Sequence, residues 1–332
     1  MNPKSTKKNY RALYNKQRKI VELRIKKVFS KRKPRSLYEP SAYLLESGGK
    51  RLRPLLVLLS VKAVGAKFST AYNAAVAVEL LHNFTLVHDD IMDNADKRRG
   101  RSTLHKKFDV NTAILAGDSL LSIAYEYLLK DCNGNAKSIL ASFTKGLVEV
   151  CEGQSLDKEF ELRNNVSINE YLEMIGKKTA AMAEMCCSIG AQIGSGTISE
   201  INALETYGRN IGIAFQIQDD LLDIIADEAE FGKVVGGDLI EGKKTFLFIK
   251  AFESAKGEDK KTLFEMILNK GIKRHQVDQY KEIYIRLGIL DEAKKSIYDY
   301  TNVAVNSLNE LAKNEDRAIF KWIAYSLIER IK

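Results

Sequence analysis

The distribution of proline constrains the fold more than any other feature of this chain. All four prolines (Pro3, Pro34, Pro40 and Pro54) lie in the first 54 of 332 residues. Proline disrupts helix interiors and central strands, and the 278 residues after Pro54 contain none. Apolar residues in that stretch recur at three- and four-residue spacing, which is typical of amphipathic helices. The chain is therefore predicted to be all-α.

The length and composition limit the domain organisation. A chain of 332 residues that is 45% hydrophobic can bury one large core or two ordinary ones. We interpret residues 1–332 as a single all-α domain, with residues 1–35 as a basic N-terminal helical segment. Glycine- and asparagine-rich positions indicate where helices end. These expected breaks are 65–67, 131–135, 163–165, 194–196 and 231–242.

An acidic motif, Asp-Asp-X-X-Asp, occurs twice, starting at Asp89 and at Asp219. In a helix, Asp89 with Asp93 and Asp219 with Asp223 would each form a carboxylate pair on one face. One such motif is usually a solvated acidic face. Here both motifs follow apolar stretches, and buried carboxylates need partners. Because Mg²⁺ prefers oxygen ligands and shares its shell with phosphates, the pattern predicts a magnesium–diphosphate site.

Basic clusters supply charge of the opposite sign. Lys50 and Arg53 are three residues apart on the expected first turn of a helix, where they can converge on one phosphate. Further basic positions are Arg98, Arg99, Lys177, Lys178, Lys233, Lys243 and Lys244. Each alone is typical of a protein surface, but together they predict a cavity with metals on one side and cations on the other. His82 is either a satisfied core histidine or a phosphate donor.

Six segments, in this order, resemble a known family: GGKRLRP, HNFTLVHDDIMDNADKRRG, EGQSLD, MIGKKTA, FQIQDDLLD and GKVVGGDLIEGKKT. They are similar to the trans-isoprenyl diphosphate synthases, particularly the archaeal type of geranylgeranyl diphosphate synthase. The resemblance runs from about Tyr38 to Thr245. It implies a single-domain prenyl-synthase fold of the class I isoprenoid synthase type, a helical bundle around a deep central cavity, usually as a homodimer.

The resemblance also implies a role for each matching residue. Asp89 and Asp93 would bind two Mg²⁺ ions and Asp219 a third, about three per site, with Mn²⁺ able to substitute. Five further residues would support the metal ligands without binding the metals themselves: Asp90, Asp220, Asp223, Gln154 and Asp157. The allylic diphosphate would be held by Arg98, Lys178, Thr179, Gln216, Lys233 and Lys243, of which Lys178, Thr179 and Gln216 are the catalytic candidates. Isopentenyl diphosphate would be held by Lys50, Arg53, His82 and Arg99.

The implied reaction is head-to-tail condensation of isopentenyl diphosphate with dimethylallyl, geranyl or farnesyl diphosphate, releasing diphosphate. Phe84 is the candidate floor of the tail cavity, although an aromatic here is equally typical of a core. In similar enzymes an aromatic followed by a small residue such as Thr85 goes with a C20 product. We therefore expect geranylgeranyl diphosphate.

Other functions remain open at this point. The product could be farnesyl diphosphate, a mixture or a longer chain. A class I terpene cyclase needs no isopentenyl pocket, and the second aspartate motif and the Lys50/Arg53 cluster count against it. A non-catalytic prenyl-diphosphate-binding subunit could lose ligands freely, whereas every expected ligand is present.

The net charge of +9 is concentrated near the N-terminus. We interpret this basic run as a solvated helix, because no nucleic-acid signature accompanies it. No apolar run reaches membrane-spanning length, and the first residues lack the apolar core of a signal peptide. The four cysteines are expected to be reduced and buried. A cytoplasmic enzyme without nucleic-acid partners is expected.

Overall fold

The structure is a computed structural model, and it describes residues 3–132, 134–226 and 235–328. Helices account for most of the described residues, and almost all of the rest is turn or loop, so the all-α prediction is confirmed. The exception is a two-residue antiparallel hairpin in which β1 (Lys97–Arg98) pairs with β2 (Arg101–Ser102). The described residues form two compact units, and the single-domain interpretation stays a prediction.

The first unit comprises residues up to Ser142 together with Cys186–Asn202 and Leu311–Ile319. Its complete helices are α1 (Pro3–Ile25), α2 (Arg35–Leu45), α3 (Leu52–Ala63), α4 (Tyr72–Met92), α5 (Leu104–Lys107) and α6 (Val110–Leu129). α3 and α4 are buried over most of their length, and α4 packs most extensively against α6. The first aspartate motif therefore begins in the last turn of a largely buried helix.

The second unit comprises Phe143–Met185, Ala203–Glu310 and the residues from Phe320 onward. Long helices run partly or wholly through it: α7 (Ala136–Leu162), α8 (Ile168–Ile175), α9 (Ala181–Ile193) and α10 (Ile198–Ile225). They are followed by α11 (Gly237–Ile240), α12 (Phe246–Ser254), α13 (Gly257–Asn269), α14 (Val277–Arg286), α15 (Ile289–Ser307) and α16 (Asn314–Ile328). One hydrophobic cluster includes residues of α8, α10, α12, α14 and α15.

Local sequence explains several helix starts. The Asp109 carboxylate accepts a hydrogen bond from the Thr112 N–H at 2.8 Å, which satisfies a free donor in the first turn of α6. α8 begins with a capping box, in which the side chains of Ser167 and Glu170 each accept from the backbone N–H of the other. Because α8 leads directly into residues predicted to contact substrate, this cap fixes where those residues lie.

Most of the expected helix breaks are found. Turns or irregular backbone occur at 64–67, 130–132, 163–167 and 194–197. The break expected at 231–242 lies partly outside the described residues, and its described part contains α11. Within the described ranges, none of the helices combines the length and apolar character needed to cross a membrane.

Candidate active site

The first aspartate motif (Asp89, Asp90 and Asp93) lies at the carboxyl end of α4. Asp93 follows the last helical residue, and its N–H donates to the Asp89 carbonyl at 2.9 Å. The two carboxylates are therefore one turn apart, as the spacing predicts. Asp89 is half-buried and Asp93 is exposed, so neither carboxylate is sealed in the core.

Asp90 is buried and makes a specific ion pair. It is 3% exposed, and it accepts a hydrogen bond from Arg98 Nε at 2.7 Å. Burial raises the pKa of Asp90, and the Arg98 charge opposes that shift. The pair fastens the β1–β2 hairpin to α4 and uses one of the five N–H donors of Arg98.

The hairpin turn places Arg99 in an unusual conformation. Arg99 and Gly100 have φ angles of 52° and 75°, a region that glycine adopts readily and arginine does not. The Arg99 guanidinium donates to the Gly48 carbonyl at 2.5 Å and lies 3.4 Å from Ser47 Oγ. These contacts hold the hairpin against the loop that precedes α3.

That loop differs from the predicted geometry. Lys50 and Arg53 are predicted to share a helical turn, but α3 begins at Leu52 and Lys50 lies before it. Gly48 and Arg51 have φ angles of 67° and 54°, so regular helical backbone starts only after Arg51. The prediction that Lys50 and Arg53 lie on one turn is therefore wrong, and Lys50 is an exposed loop residue.

His82 lies among arginines in the first unit. Its Nε2 is 3.3 Å from Arg53 Nη1. Burial lowers the pKa of His82 well below its usual value, and the charges of Arg53, Arg99, Arg98 and Arg51 lower it further. His82 is thus neutral near pH 7 and can accept a hydrogen bond from Arg53. Such an excess of positive charge suits an anionic ligand.

The second aspartate motif (Asp219, Asp220 and Asp223) lies near the carboxyl end of α10. Asp219 is half-buried, whereas Asp220 and Asp223 are 4% and 9% exposed. The Asp223 carboxylate accepts from the Asp238 N–H at 3.1 Å, which holds the start of α11. Asp223 therefore shapes the backbone around the site.

Asp220 is the centre of a hydrogen-bond network. It accepts from the Tyr171 hydroxyl at 2.5 Å, the Phe246 N–H at 3.0 Å and Gln216 Nε2 at 3.2 Å. Burial raises the pKa of Asp220, and the neighbouring Asp238 carboxylate raises it further. These three donors join α8, α10 and α12 through one carboxylate.

A cavity in the second unit collects many of the predicted substrate-binding residues. Its lining includes Asp157, Lys178, Thr179, Gln216, Asp220 and Lys243. Apolar residues such as Phe160 and Met174 share the wall with Asp238 and Lys244. Alternating cations and carboxylates beside apolar surface fit a ligand with a charged head and an apolar body.

Two of the lysines that line this cavity, Lys178 and Lys243, form ion pairs with acidic side chains. Lys178 forms an ion pair with Asp157. Lys243 lies 2.7 Å from Glu241 and 3.5 Å from Asp238, and these carboxylates raise the pKa of Lys243 although burial opposes the shift. Both side chains are thus held in place by carboxylates. Lys233, the other lysine predicted to hold the allylic diphosphate, lies outside the described residues.

Thr179 and Gln216 are bonded to each other. The Thr179 hydroxyl donates to Gln216 Oε1 at 2.9 Å, and Gln216 in turn donates to Asp220. The chain of hydrogen bonds fixes the orientation of the Gln216 amide. The two residues predicted to line the reacting carbon therefore lie together in the cavity wall.

Lys178 and Thr179 project from a π-helical turn, Gly176–Ala180, between α8 and α9. Such turns are rare and occur frequently at functional sites. Two glycines make room for it: a Cβ on Gly153 would lie 2.2 Å from the Lys178 nitrogen, and one on Gly212 would lie 2.4 Å from the Ala180 Cα. The turn is therefore packed directly against α7 and α10.

The donors fit the magnesium that the family resemblance implies. The carboxylates are hard oxygen ligands, and Gln154 Oε1 is buried without a hydrogen-bond partner among the described residues. Such an acceptor is commonly satisfied by water or a ligand. Within the described ranges, no three His, Cys, Asp or Glu side chains enclose an ion by themselves, but Mg²⁺ usually completes its shell with waters and phosphates.

Phe84, the candidate floor of the tail cavity, lies on α4 and is half-buried. Its ring centroid is 4.6 Å from that of His88, and a Cβ on Gly117 would lie 2.4 Å from the His88 ring. Thr85 bonds its hydroxyl to the His82 carbonyl at 2.8 Å. The assignment of Phe84 and Thr85 to the floor stays a prediction.

Comparison with known proteins decides the family. The Polyprenyl synthetase family matches residues 34–284. The chain belongs to this family. It is 41% identical over 321 residues to the short chain isoprenyl diphosphate synthase of Methanothermobacter thermautotrophicus, covering 96% of this chain and 98% of the relative. It is 41% identical over 302 residues to the geranylgeranyl diphosphate synthase of Sulfolobus acidocaldarius, covering 89% and 91%.

Solved structures agree with this membership. The crystal structure of geranylgeranyl pyrophosphate synthetase from Pyrococcus horikoshii Ot3 matches with a TM-score of 0.91 and 38% identity, covering 97% of this chain and 99% of the other. The predicted prenyl-synthase fold is therefore confirmed.

Two arginines of this polyprenyl synthetase were not among the predicted site residues. Arg51 is 5% exposed and pairs with Glu79 at 2.5 Å, which anchors the loop before α3. Arg209 lies 2.7 Å from Glu149 and 3.1 Å from Glu184, and it packs on Gly176 at the start of the π-helical turn. Glu79, an acidic residue inside the apolar first part of α4, was the available signal for the first pair.

Proposed function

We propose that this polyprenyl synthetase condenses isopentenyl diphosphate head-to-tail with allylic diphosphates, releasing diphosphate and forming geranylgeranyl diphosphate. The observation that carries the proposal is the cavity of the second unit. Four residues predicted to hold the allylic substrate (Lys178, Thr179, Gln216 and Lys243) line it together with Asp157 and Asp220. No residue of this set is a nucleophile poised for covalent chemistry, which suits a reaction driven by departure of diphosphate.

The chain's own residues have distinct tasks in this mechanism. Lys178 and Lys243 stabilise negative charge on the departing diphosphate as the allylic C–O bond breaks and its electron pair leaves with oxygen. Thr179 and Gln216 line the allylic carbon. The isopentenyl double bond then forms the new C–C bond, and the proton lost from the resulting cation passes to the released diphosphate.

Isopentenyl diphosphate is assigned to the first unit. Arg53, Arg99 and Lys50 supply the positive charge, and the neutral His82 orients Arg53. Fixed donors of this kind bind phosphate strongly because the hydrogen bonds are charge-assisted. A dry cavity is required, since water would trap the carbocation.

We assign Mg²⁺ to Asp89, Asp93 and Asp219, about three ions per site, with Mn²⁺ able to substitute. The metal supplies Lewis-acid stabilisation of the leaving group. Asp90, Asp220 and Asp223 support these ligands through Arg98, Tyr171 and the Asp238 N–H. Gln154 and Asp157 are assigned to the same support because the unpartnered Gln154 amide oxygen can accept from a metal-bound water.

The working form is proposed to be a homodimer in the cytoplasm. α6 exposes apolar side chains on one side: Val110 is 48%, Ile114 38% and Leu115 60% exposed. Exposed apolar patches of this kind mark association sites. A solution mass of twice 37.4 kDa supports the dimer, and a mass of 37.4 kDa contradicts it. The adjacent, buried thiols of Cys186 and Cys187 suit a reducing compartment.

The proposal is tested by incubating the protein with Mg²⁺, isopentenyl diphosphate and each allylic starter separately. The dephosphorylated products are then sized by chromatography. A C20 alcohol from dimethylallyl, geranyl and farnesyl diphosphate is expected.

Other outcomes select the remaining candidates. One relative is a short chain isoprenyl diphosphate synthase, whose name does not specify a C20 product. A C15, mixed or longer product would support the condensation reaction and contradict the proposed C20 chain length. Magnesium-dependent diphosphate binding without condensation would favour a non-catalytic subunit.

A further inference from the structure

The charge of the chain is divided unevenly. Residues 3–35 contain 14 lysines and arginines and one acidic residue, Glu22, so their formal charge is +13. The whole chain carries +9, and the remainder therefore carries −4. A basic segment attached to an acidic body has an electrostatic character of its own.

The described part of this segment presents its charge to solvent. Exposed basic residues are Arg11, Lys16, Lys19, Arg24, Lys26, Lys27, Lys31, Lys33 and Arg35. On α1, Lys16, Lys19 and Leu23 fall on one helical face by their spacing, and Leu23 is 53% exposed. A basic face that also exposes a large apolar side chain is typical of helices that lie on lipid surfaces.

The opposite face of α1 is fixed to the first unit. Val21 and Ile25 are 0% and 2% exposed, and Gln17 accepts a hydrogen bond from the Tyr72 hydroxyl at 2.8 Å. The Tyr14 hydroxyl donates to the Lys50 carbonyl at 2.6 Å. The basic face is thus held on the folded protein, and α1 also touches the loop that carries a proposed isopentenyl diphosphate ligand.

We propose that this basic surface, comprising the exposed face of α1 and residues 26–33, docks the enzyme on an anionic lipid bilayer. The inference rests in part on the proposed function, because a C20 diphosphate has a long apolar tail that favours a lipid phase. Charge complementarity supplies attraction, and Leu23 supplies apolar contact. Exposed Leu23 and a lysine-rich composition favour lipid over nucleic acid, for which interleaved exposed aromatics would be expected.

Sedimentation with vesicles tests the proposal. The full chain is mixed with vesicles of phosphatidylcholine alone or of equimolar phosphatidylcholine and phosphatidylglycerol. The test variant changes Lys16, Lys19, Lys26 and Lys27 to Gln. The matched control removes the same charge from exposed Lys256, Lys261, Lys294 and Lys295. Substitution is preferred to deletion of α1 because deletion would remove the Tyr14 contact with Lys50.

The wild-type protein and the control should bind the anionic vesicles and not the neutral ones. The test variant should bind on the order of 1000-fold more weakly, and salt near 1 M should release the wild type because the Debye length is then about 3 Å. Condensation measured without vesicles should be the same in all three proteins. That assay reports on the proposed function separately from docking.

Three results would overturn the proposal: no binding of the wild type to anionic vesicles, equal loss in the control, or unchanged binding of the test variant. A fluorescent RNA duplex provides a competing ligand. If the wild type binds this duplex and not the vesicles, and the four lysine substitutions abolish that binding, the surface is a nucleic-acid site instead.

Discussion

The two aspartate motifs have one sequence pattern and opposite surroundings. In the first motif, Asp90 pairs with Arg98, and the nearby His82 lies among arginines. In the second motif, Asp220 has another carboxylate, Asp238, as its neighbour. In the first region the buried aspartate therefore faces an arginine, whereas in the second it faces another carboxylate. Two motifs with the same sequence pattern can therefore differ in their electrostatic surroundings, because neighbouring residues determine the local charge.

The comparison predicts that the two proposed metal-ligand positions, Asp89 and Asp219, contribute alike to kcat although their surroundings differ. Asp89→Asn and Asp219→Asn should each lower kcat on the order of 1000-fold, because each removes charge that stabilises the leaving diphosphate. Steady-state kinetics with farnesyl diphosphate checks this. Asp291→Asn, at a side chain that is 85% exposed, is the matched control and should leave kcat unchanged. A loss of kcat in only one of the two variants would show that the two motifs do not contribute alike.

Stability should separate the buried aspartates. Asp220→Ala leaves the Tyr171 hydroxyl and the Phe246 N–H without their acceptor in a buried site, and we expect a loss of about 3–5 kcal/mol in the free energy of unfolding. Asp90→Ala should cost less, about 1–2 kcal/mol, because Arg98 is 36% exposed and can turn to water. Urea unfolding measures both. Equal losses would show that the hydrogen-bond network around Asp220 contributes nothing extra.

The length of the product tests whether Phe84 and Thr85 of α4 form the floor of the tail cavity. Phe84→Ala should lengthen the main product by at least one five-carbon unit, because it removes a ring from the proposed floor, and Thr85→Phe should shorten it to C15. Chromatography of the dephosphorylated products gives the answer. Phe264→Ala, at an exposed aromatic of the second unit, is the control. Unchanged product lengths in both α4 variants would show that these residues do not form the floor of the tail cavity.

The smallest expected effect is the change in the free energy of unfolding with pH. Because burial and the neighbouring arginines lower the pKa of His82 in the folded protein, the unfolded chain takes up a proton near pH 6.5 that the folded chain does not. The stability from His82 is therefore complete above pH 6.5 and is lost as the pH falls below it. Urea unfolding should show about 1 kcal/mol less stability at pH 5.5 than at pH 7.5 for this reason.

His82→Gln should remove that part of the pH dependence, and His275→Gln, at an exposed histidine, should retain it. The same slope in the wild type and in His82→Gln would contradict the buried neutral state.

The sequence predicted the helices because these depend on local patterns. Proline placement and apolar spacing predict helices, and the i,i+4 rule correctly places Asp89 one turn from Asp93. Lys50 was misplaced because Gly48 and Arg51 adopt left-handed backbone, which spacing alone does not reveal. The π-helical turn and the β1–β2 hairpin were also missed. The π-helical turn depends on close packing against Gly153 and Gly212, and the hairpin turn on Arg99 being held by Gly48.

Calorimetric titration with inorganic diphosphate, with and without Mg²⁺, tests the central claim most directly. The wild type should bind diphosphate at least about tenfold more tightly with Mg²⁺, which is about 1.4 kcal/mol. Asp219→Asn should lose that difference while keeping the weaker, magnesium-independent binding to its lysines. Equally tight binding of diphosphate to the wild type with and without Mg²⁺ would contradict a magnesium–diphosphate site.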